Sequence, residues 1–361
     1  MSRPLPSRAP RSGAAAWIED YYGRLEAACD RAVQRVGACT ETRLIAGRTV
    51  RFHFIGEDLH AILFPALAHL AVGDAASAAD LEVFAWETRL AGEPLPEPPW
   101  AWPDDAEPHR VCFPPDVDQF RLMIEPESEA QLLYRTDRRR AYLGVGDARE
   151  LPTHWYGAPL RRLFHWWGQG ENLHLIHAGC IGTEAGGVLL AGRSGSGKST
   201  TSLLGLEAGM RYVGDDSCLL QPGAPAIAHC LYSTGRLHGD HLSRFPRLAS
   251  RVVEPRPQDG EKPILYAHRH FPAAVATALP LRALVLPRVT GLPDTRTVRI
   301  SPAEGLLGLA PSTLFQMPSK DADRLRAMAR FVRETPCYRL ELGTQLEQIA
   351  PALGRLIASS S

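Results

Sequence analysis

The chain has 361 residues, room for two domains or one elaborated α/β unit, and with 45% hydrophobic and 22% charged residues it can bury a sizeable core. Forty Lys plus Arg balance forty Asp plus Glu, so it lacks the basic excess expected of a protein that works on nucleic acid or anionic lipid. Seven scattered cysteines, odd in number and without C-x-x-C spacing, predict reduced thiols in a cytoplasmic setting and argue against a disulfide framework or a zinc site.

Residues 1–13 carry no apolar run of the kind a signal peptide needs, and no stretch reaches transmembrane length, so no membrane association is expected. Those residues and the closing Ser359-Ser360-Ser361 read as disordered tails. Trp17, Tyr21, Leu25, Ala28, Ala32 and Val36 recur at helical spacing and predict a helix over 17–36. Segments 42–46 and 49–54 flank Gly47-Arg48 as a hairpin. A second helix over 59–72 should be interrupted by Pro65. Residues 81–86 alternate as a strand, and the loop 92–108 holds six prolines, with Trp100 and Trp102 expected to cap a core surface. Strands 131–134 and 140–145 form a second hairpin around Thr136-Asp137-Arg138-Arg139. The Arg138-Arg139-Arg140 run reads as a solvated turn and strand start, the alternative being contact with phosphate or an acidic partner. Residues 14–150 are therefore expected to be an N-terminal α+β domain with no motif that carries chemistry, its role a matter of substrate recognition by elimination.

Residues 151–361 read as a nucleotide-binding α/β domain. Helix 158–167 has Pro159 in its first turn, where a missing N–H costs nothing. Strand 173–180, turn 183–186, strand 188–191 and helix 200–208 follow. Strand 211–213 then ends in Gly214-Asp215-Asp216, and 217–221 either continues it or starts the next strand. A buried strand over 281–286 precedes helices 302–309, 322–334 and 346–357, with strand 337–342 between the last two.

Between the second strand and the helix, Gly192-Arg193-Ser194-Gly195-Ser196-Gly197-Lys198-Ser199 fits the phosphate-loop pattern G-x-x-x-x-G-K-[ST] at every fixed position. Glycines let successive backbone N–H groups turn toward phosphate oxygens, and the helix N-terminus adds unpaired donors and partial positive charge. Lys198 can reach the β- and γ-phosphates of a nucleoside triphosphate, and the Ser199 hydroxyl can sit on Mg²⁺. Asp215 and Asp216 follow Lys198 by 17 and 18 positions at a strand end, where one carboxylate can bind metal and the other accept the proton of an attacking hydroxyl. His177, if 173–180 pairs with the loop's own strand, sits beside the loop and either assists transfer or is a structural histidine. His174 falls on the opposite strand face, and His268 and His270 share a face without a third ligand, so neither pair makes a zinc site.

The order Ile176-His177-Ala178-Gly179, then Gly187 through Ser199, then Gly209-Met210-Arg211-Tyr212-Val213-Gly214-Asp215-Asp216, resembles the core of HPr serine kinases and their relatives, among them kinases of ribosomally made peptides such as lasso peptides. The resemblance covers about 155–290. It implies a P-loop fold of the HPr kinase and phosphoenolpyruvate carboxykinase type behind an N-terminal α+β domain, with ATP and Mg²⁺ as cofactors. By the same resemblance, Asp215 is the base toward a serine hydroxyl, His177 flanks the reacting phosphoryl group, Asp216 and Ser199 hold Mg²⁺, and Lys198 with the amides from Gly195 to Thr200 cradles phosphate. The implied activity is transfer of the γ-phosphate to a serine or similar hydroxyl of a peptide or protein, a ribosomally made precursor peptide being one such acceptor. The chain departs from the family where Thr200 replaces an acidic residue, and where Ser233-Thr234-Gly235-Arg236-Leu237-His238-Gly239 stands in place of a Glu-Ile-Arg-Gly-Leu-Gly-type signature. Those departures bear on metal coordination, on HPr as substrate and on phosphorolysis. Arg236 and Lys262 can supply positive charge to the phosphate or be solvated loop charges. Two other readings stay open: a small-metabolite kinase, and a non-catalytic ATP-binding regulatory or assembly module. A homo-oligomer stays open as well.

Overall fold

Helical and strand periodicities resolve into two compact units, each with its own sheet. The computed structural model describes residues 14–73, 78–97, 110–112, 119–125, 128–236, 245, 248, 250–251, 262–316 and 322–359. The first unit holds the described residues of Met1–Phe64, Ala71–Trp155 and Leu160–Trp167, and the second those of Pro65–Leu70, Tyr156–Pro159 and Gly168–Ser361. The tail expected over 1–13, and Trp100 and Trp102, lie outside the described residues. Ser359, expected in the C-terminal tail, instead closes the helix Ile349–Ser359, its hydroxyl donating to Leu356 O at 3.0 Å. Among the described residues no helix is long and apolar enough to cross a membrane.

In the first unit, β1 (Cys39–Ile45), β2 (Arg48–Ile55), β3 (Leu81–Glu87), β4 (Arg110–Cys112), β5 (Phe120–Glu125), β6 (Ala130–Arg135) and β7 (Arg140–Val145) form one sheet in the order β1-β2-β3-β7-β6-β5-β4. Both expected hairpins, β1 with β2 and β6 with β7, are present. The helix Ala14–Val36 buries Ile18, Tyr21, Tyr22, Leu25, Ala28, Cys29 and Ala32 in one cluster with Phe120, Leu122, Leu133 and Tyr142 of the sheet. That is the 3–4 spacing of an amphipathic face meeting the inward face of alternating strands. Pro65, with no N–H to continue the ladder, ends the helix Glu57–Leu63 and starts the 3₁₀ turn Pro65–Leu70. The arginine run is largely paired, Arg139 with Asp80 at 3.5 Å and Arg140 with Glu82 at 2.8 Å, while Arg138 lies over the Tyr22 ring.

The second unit is built on β8 (His174–Ile176), β9 (Gly179–Thr183), β10 (Gly186–Leu190), β11 (Arg211–Gly214), β12 (Cys218–Gln221) and β13 (Ile227–Cys230). After a two-stranded ribbon of β14 (Thr234–Arg236) and β15 (Ile264–Tyr266) come β16 (Ala278–Val289), β17 (Arg296–Ile300) and β18 (Cys337–Leu342). The nine-stranded sheet runs β11-β9-β10-β16-β13-β12-β8, with β18 also on β16 and β17 on β18. The long β16 is parallel to both β10 and β18, so the C-terminal ends of these three strands come together. Side chains alternate between two cores. Val188, Leu190, Ala283 and Val285 join Leu203 and Leu206 of the helix Lys198–Glu207 and Leu353 and Leu356 of the last helix. Leu189, Ala191 and Leu284 join Leu309 of the helix Pro302–Gln316 and Met328 and Phe331 of the helix Ala322–Glu334. Both faces are covered by helices, as a mixed α/β sheet with parallel strands requires.

Three expectations are corrected. Leu160 takes a left-handed conformation, φ 54°, so the helix expected over 158–167 begins only at Arg161 and runs to Gly170, while a separate short helix, Thr153–Gly157, precedes it. The strand expected over 173–180 breaks at His177-Ala178, β8 pairing with β12 while β9 pairs with β10. Of the two alternatives left open for 217–221, the structure takes the second, a new strand, since β12 pairs with β8 and β13. The helix expected over 302–309 runs on through Pro311 to Gln316.

Candidate functional site

The loop 192–197 joins β10 to the helix Lys198–Glu207, at the C-terminal ends of β10, β16 and β18. Its sharp course depends on glycine at 192 and 197, with φ 138° and 105°, values that L side chains rarely adopt. Gly197 is also pressed against the sheet: a Cβ there would fall 2.4 Å from Leu342 Cδ1. Gly197→Ala should therefore cost about 1–3 kcal/mol, read as a lowered midpoint in urea unfolding. The first intrahelical bond runs from Thr201 N to Gly197 O at 2.9 Å, so the amides of Lys198, Ser199 and Thr200 precede the helical ladder as donors free for an anion. Lys198 is buried and turns its Nζ back into the loop, donating to Gly192 O at 2.5 Å and Arg193 O at 3.3 Å. Burial pushes its ammonium pKa down, Asp216 and Asp215 oppose this, and the Lys262 cation adds to it. Lys262 thus belongs to the electrostatic surroundings of the loop.

Asp215 and Asp216 follow the end of β11, and their environments differ sharply. Asp215 is 1% exposed, while the Asp216 side chain is 40% exposed. Asp215 Oδ2 accepts the Arg236 amide at 3.1 Å, and Oδ1 is buried without a hydrogen-bond partner among the described residues. Burial, and after it the neighbouring Asp216, push its pKa up to about 6, against the Arg236 amide, the Ser199 hydroxyl and Lys198, which lower it. A buried carboxylate with a raised pKa, beside a second that is much more exposed, suits acid–base chemistry.

His177 lies at the corner between β8 and β9, not within a strand beside β10. Its amide donates to the Thr313 hydroxyl at 3.1 Å, and its Nδ1 lies 3.2 Å from Asp216 Oδ1, so the corner brings the imidazole to the acid pair. Gly179 permits this path, because a Cβ there would fall 2.6 Å from Ser202 Oγ and 2.7 Å from Asp215 O. Lys198, Asp215, Asp216 and His177 thus converge on one place, with Ser199 beside Asp215. Sequence reasoning left Arg236 undecided. Its amide holds Asp215, and its side chain lines a pocket with Gly157, Asp216, Ser217, Tyr232 and Thr234. His268 and His270, expected on one strand face, sit instead on the short helix Ala267–His270, with His268 Nδ1 hydrogen-bonded to Ser233 Oγ at 2.7 Å.

The raised Asp215 pKa makes stability depend on pH with a definite sign. Below about pH 4 both folded and unfolded chains carry the proton. Between about 4 and 6 only the folded chain keeps it, so stability falls as pH rises and is lowest above about 6, by on the order of 3 kcal/mol from this group. Chemical unfolding of the wild type and Asp215→Asn across pH 4–8 checks this: the variant should lack that fall.

The sequence matches no family model and no curated protein. Among solved structures, the HPr(Ser) kinase/phosphatase from Coxiella burnetii aligns with 52% of this chain and 95% of its own, at 17% identity and a TM-score of 0.27. A superposition that loose supports no residue correspondence.

Proposed function

We propose that the chain is an ATP-dependent kinase that transfers the γ-phosphate to a serine or similar hydroxyl of a peptide or protein. One observation carries the reading: a buried carboxylate, Asp215, with a pKa near 6, lies at the strand end facing the lysine and serine of a glycine-rich anion loop. A binding module needs the loop but has no use for a poised base. Three features suit a nucleotide: glycines at left-handed positions, free amides at the helix start, and a buried ammonium.

In the proposed reaction Asp215 accepts the acceptor's O–H proton as its oxygen bonds to the γ-phosphorus. The bond to the bridging oxygen breaks, and that electron pair leaves on ADP. Lys198 and the amides of Lys198, Ser199 and Thr200 balance charge on the phosphates, and Arg236 lines the pocket beside Asp216. His177 holds the Asp216 carboxylate and so fixes its orientation. Ser199, Asp215 and Asp216 offer hard oxygen donors, a set that fits Mg²⁺, with Ser199 and Asp216 as its holders. Mg²⁺ would neutralise phosphate charge there.

Incubation with Mg²⁺ and γ-labelled ATP in host lysate, followed by separation of protein, peptide and small-molecule fractions, tests the acceptor class. Label in protein or peptide is expected. Label confined to a small metabolite would move the function to a metabolite kinase, and tight ATP binding with no transfer to any fraction would favour a regulatory module.

A further inference from the structure

Cys39 and Glu41 stand two residues apart on β1, so both side chains leave one face of the strand. The helix Glu57–Leu63 brings His60 to that face, and one ligand atom from each of the three lies within 4.8 Å of the others. Glu41 Oε1 is 3.4 Å from His60 Nε2, about the spacing of two donors each about 2.1 Å from a tetrahedral ion. The two donors are held from behind. Arg43 Nη1 donates to Glu41 Oε2 at 3.1 Å, which leaves Oε1 turned toward His60. The His60 ring packs on Phe54 and Phe64, with centroids 5.2 and 4.8 Å away, and its Nε2 is buried without a hydrogen bond among the described residues. Glu41 and His60 are half-buried, and Cys39 is exposed, which gives the set an entry path.

We propose that Cys39 Sγ, Glu41 Oε1 and His60 Nε2 bind a Zn²⁺ ion, with water as the fourth ligand, and that the ion ties β1 to the helix Glu57–Leu63. A thiolate, a carboxylate and an imidazole together suit zinc, whereas magnesium and calcium take oxygen donors alone. On binding, the Cys39 S–H bond is replaced by a Zn–S bond and one proton leaves to solvent, with no change of oxidation state. This site lies wholly in the first unit and is independent of the proposed kinase reaction. It was hidden in sequence because the ligands are spaced as C-x-E on a strand with a histidine 19 residues beyond, a spacing shared with no familiar zinc motif.

Metal-free full-length protein titrated with Co²⁺ should develop a thiolate-to-cobalt charge-transfer band that one equivalent of Zn²⁺ removes. Cys39→Ser should abolish the band, and His60→Ala should weaken zinc binding by more than about tenfold. Glu41→Gln, which keeps the side-chain shape, should weaken zinc as well and serves if either other variant fails to fold by circular dichroism. A wild type without the band, or a zinc affinity unchanged in the folded variants, would overturn the proposal.

Discussion

Asp215→Asn is expected to lower phosphoryl transfer by about 10²–10⁴-fold while ATP affinity stays nearly unchanged. The amide keeps the shape of the carboxylate and can still accept the Arg236 N–H that Oδ2 accepts now, so the corner holding the site should persist. What disappears is the capacity to take a proton. The same substitution removes a buried charge that is expensive above its pKa of about 6, so the variant should be more stable than the wild type at pH 8. A loss of activity accompanied by a gain in stability separates a functional role from a folding defect, and is the trade expected where a site stores an unfavourable charge for use in chemistry. Urea unfolding and equilibrium ATP binding on one preparation read both effects.

Lys198→Ala should act at the other end of the reaction. Its ammonium is the cation held inside the loop, on Gly192 O and Arg193 O, and burial makes the charge costly unless an anion faces it. Removal should weaken ATP binding by about 10–100-fold, the worth of a charge-assisted hydrogen bond. Transfer at saturating ATP should fall by a further 10²-fold or so, because the lysine also meets charge that develops as the phosphoryl group moves. A KM change without a kcat change would restrict Lys198 to binding. Titration calorimetry and saturation kinetics separate the two.

How much of this was written in the sequence depends on the element. The strand–loop–helix around Gly192–Ser199 was plain, because left-handed glycines and a following apolar helix leave few other conformations for that run. The adjacent carboxylates were equally visible, but the difference in their burial was not, nor was the Arg236 amide on Asp215, which arrives from β14, 21 residues away. The break at His177 escaped because Leu173–Cys180 is mostly apolar, with only His174 and His177 interrupting it, and apolar character alone does not say which neighbour a strand pairs with. Only the close approach of Gly179 to Ser202 and Asp215 marks where the chain changes partners. β17 was missed for the opposite reason. Four of its five residues are exposed, and Arg296-Thr297-Val298-Arg299 pairs as an edge strand without an apolar face to announce it. The helix expected to end at Leu309 runs on through Pro311, and the buried Thr313 and its bond to the His177 amide lie in that extension.

The most direct test of the account is single-turnover transfer from γ-labelled ATP, measured for wild type and Asp215→Asn side by side from pH 5 to 8 with host lysate as the source of acceptor. Transfer by the wild type should rise through about pH 6 as Asp215 ionises and then level, with the variant at least about 100-fold lower at every pH. Equal transfer by the two proteins, or a wild-type profile that falls through that window, would contradict Asp215 as the base.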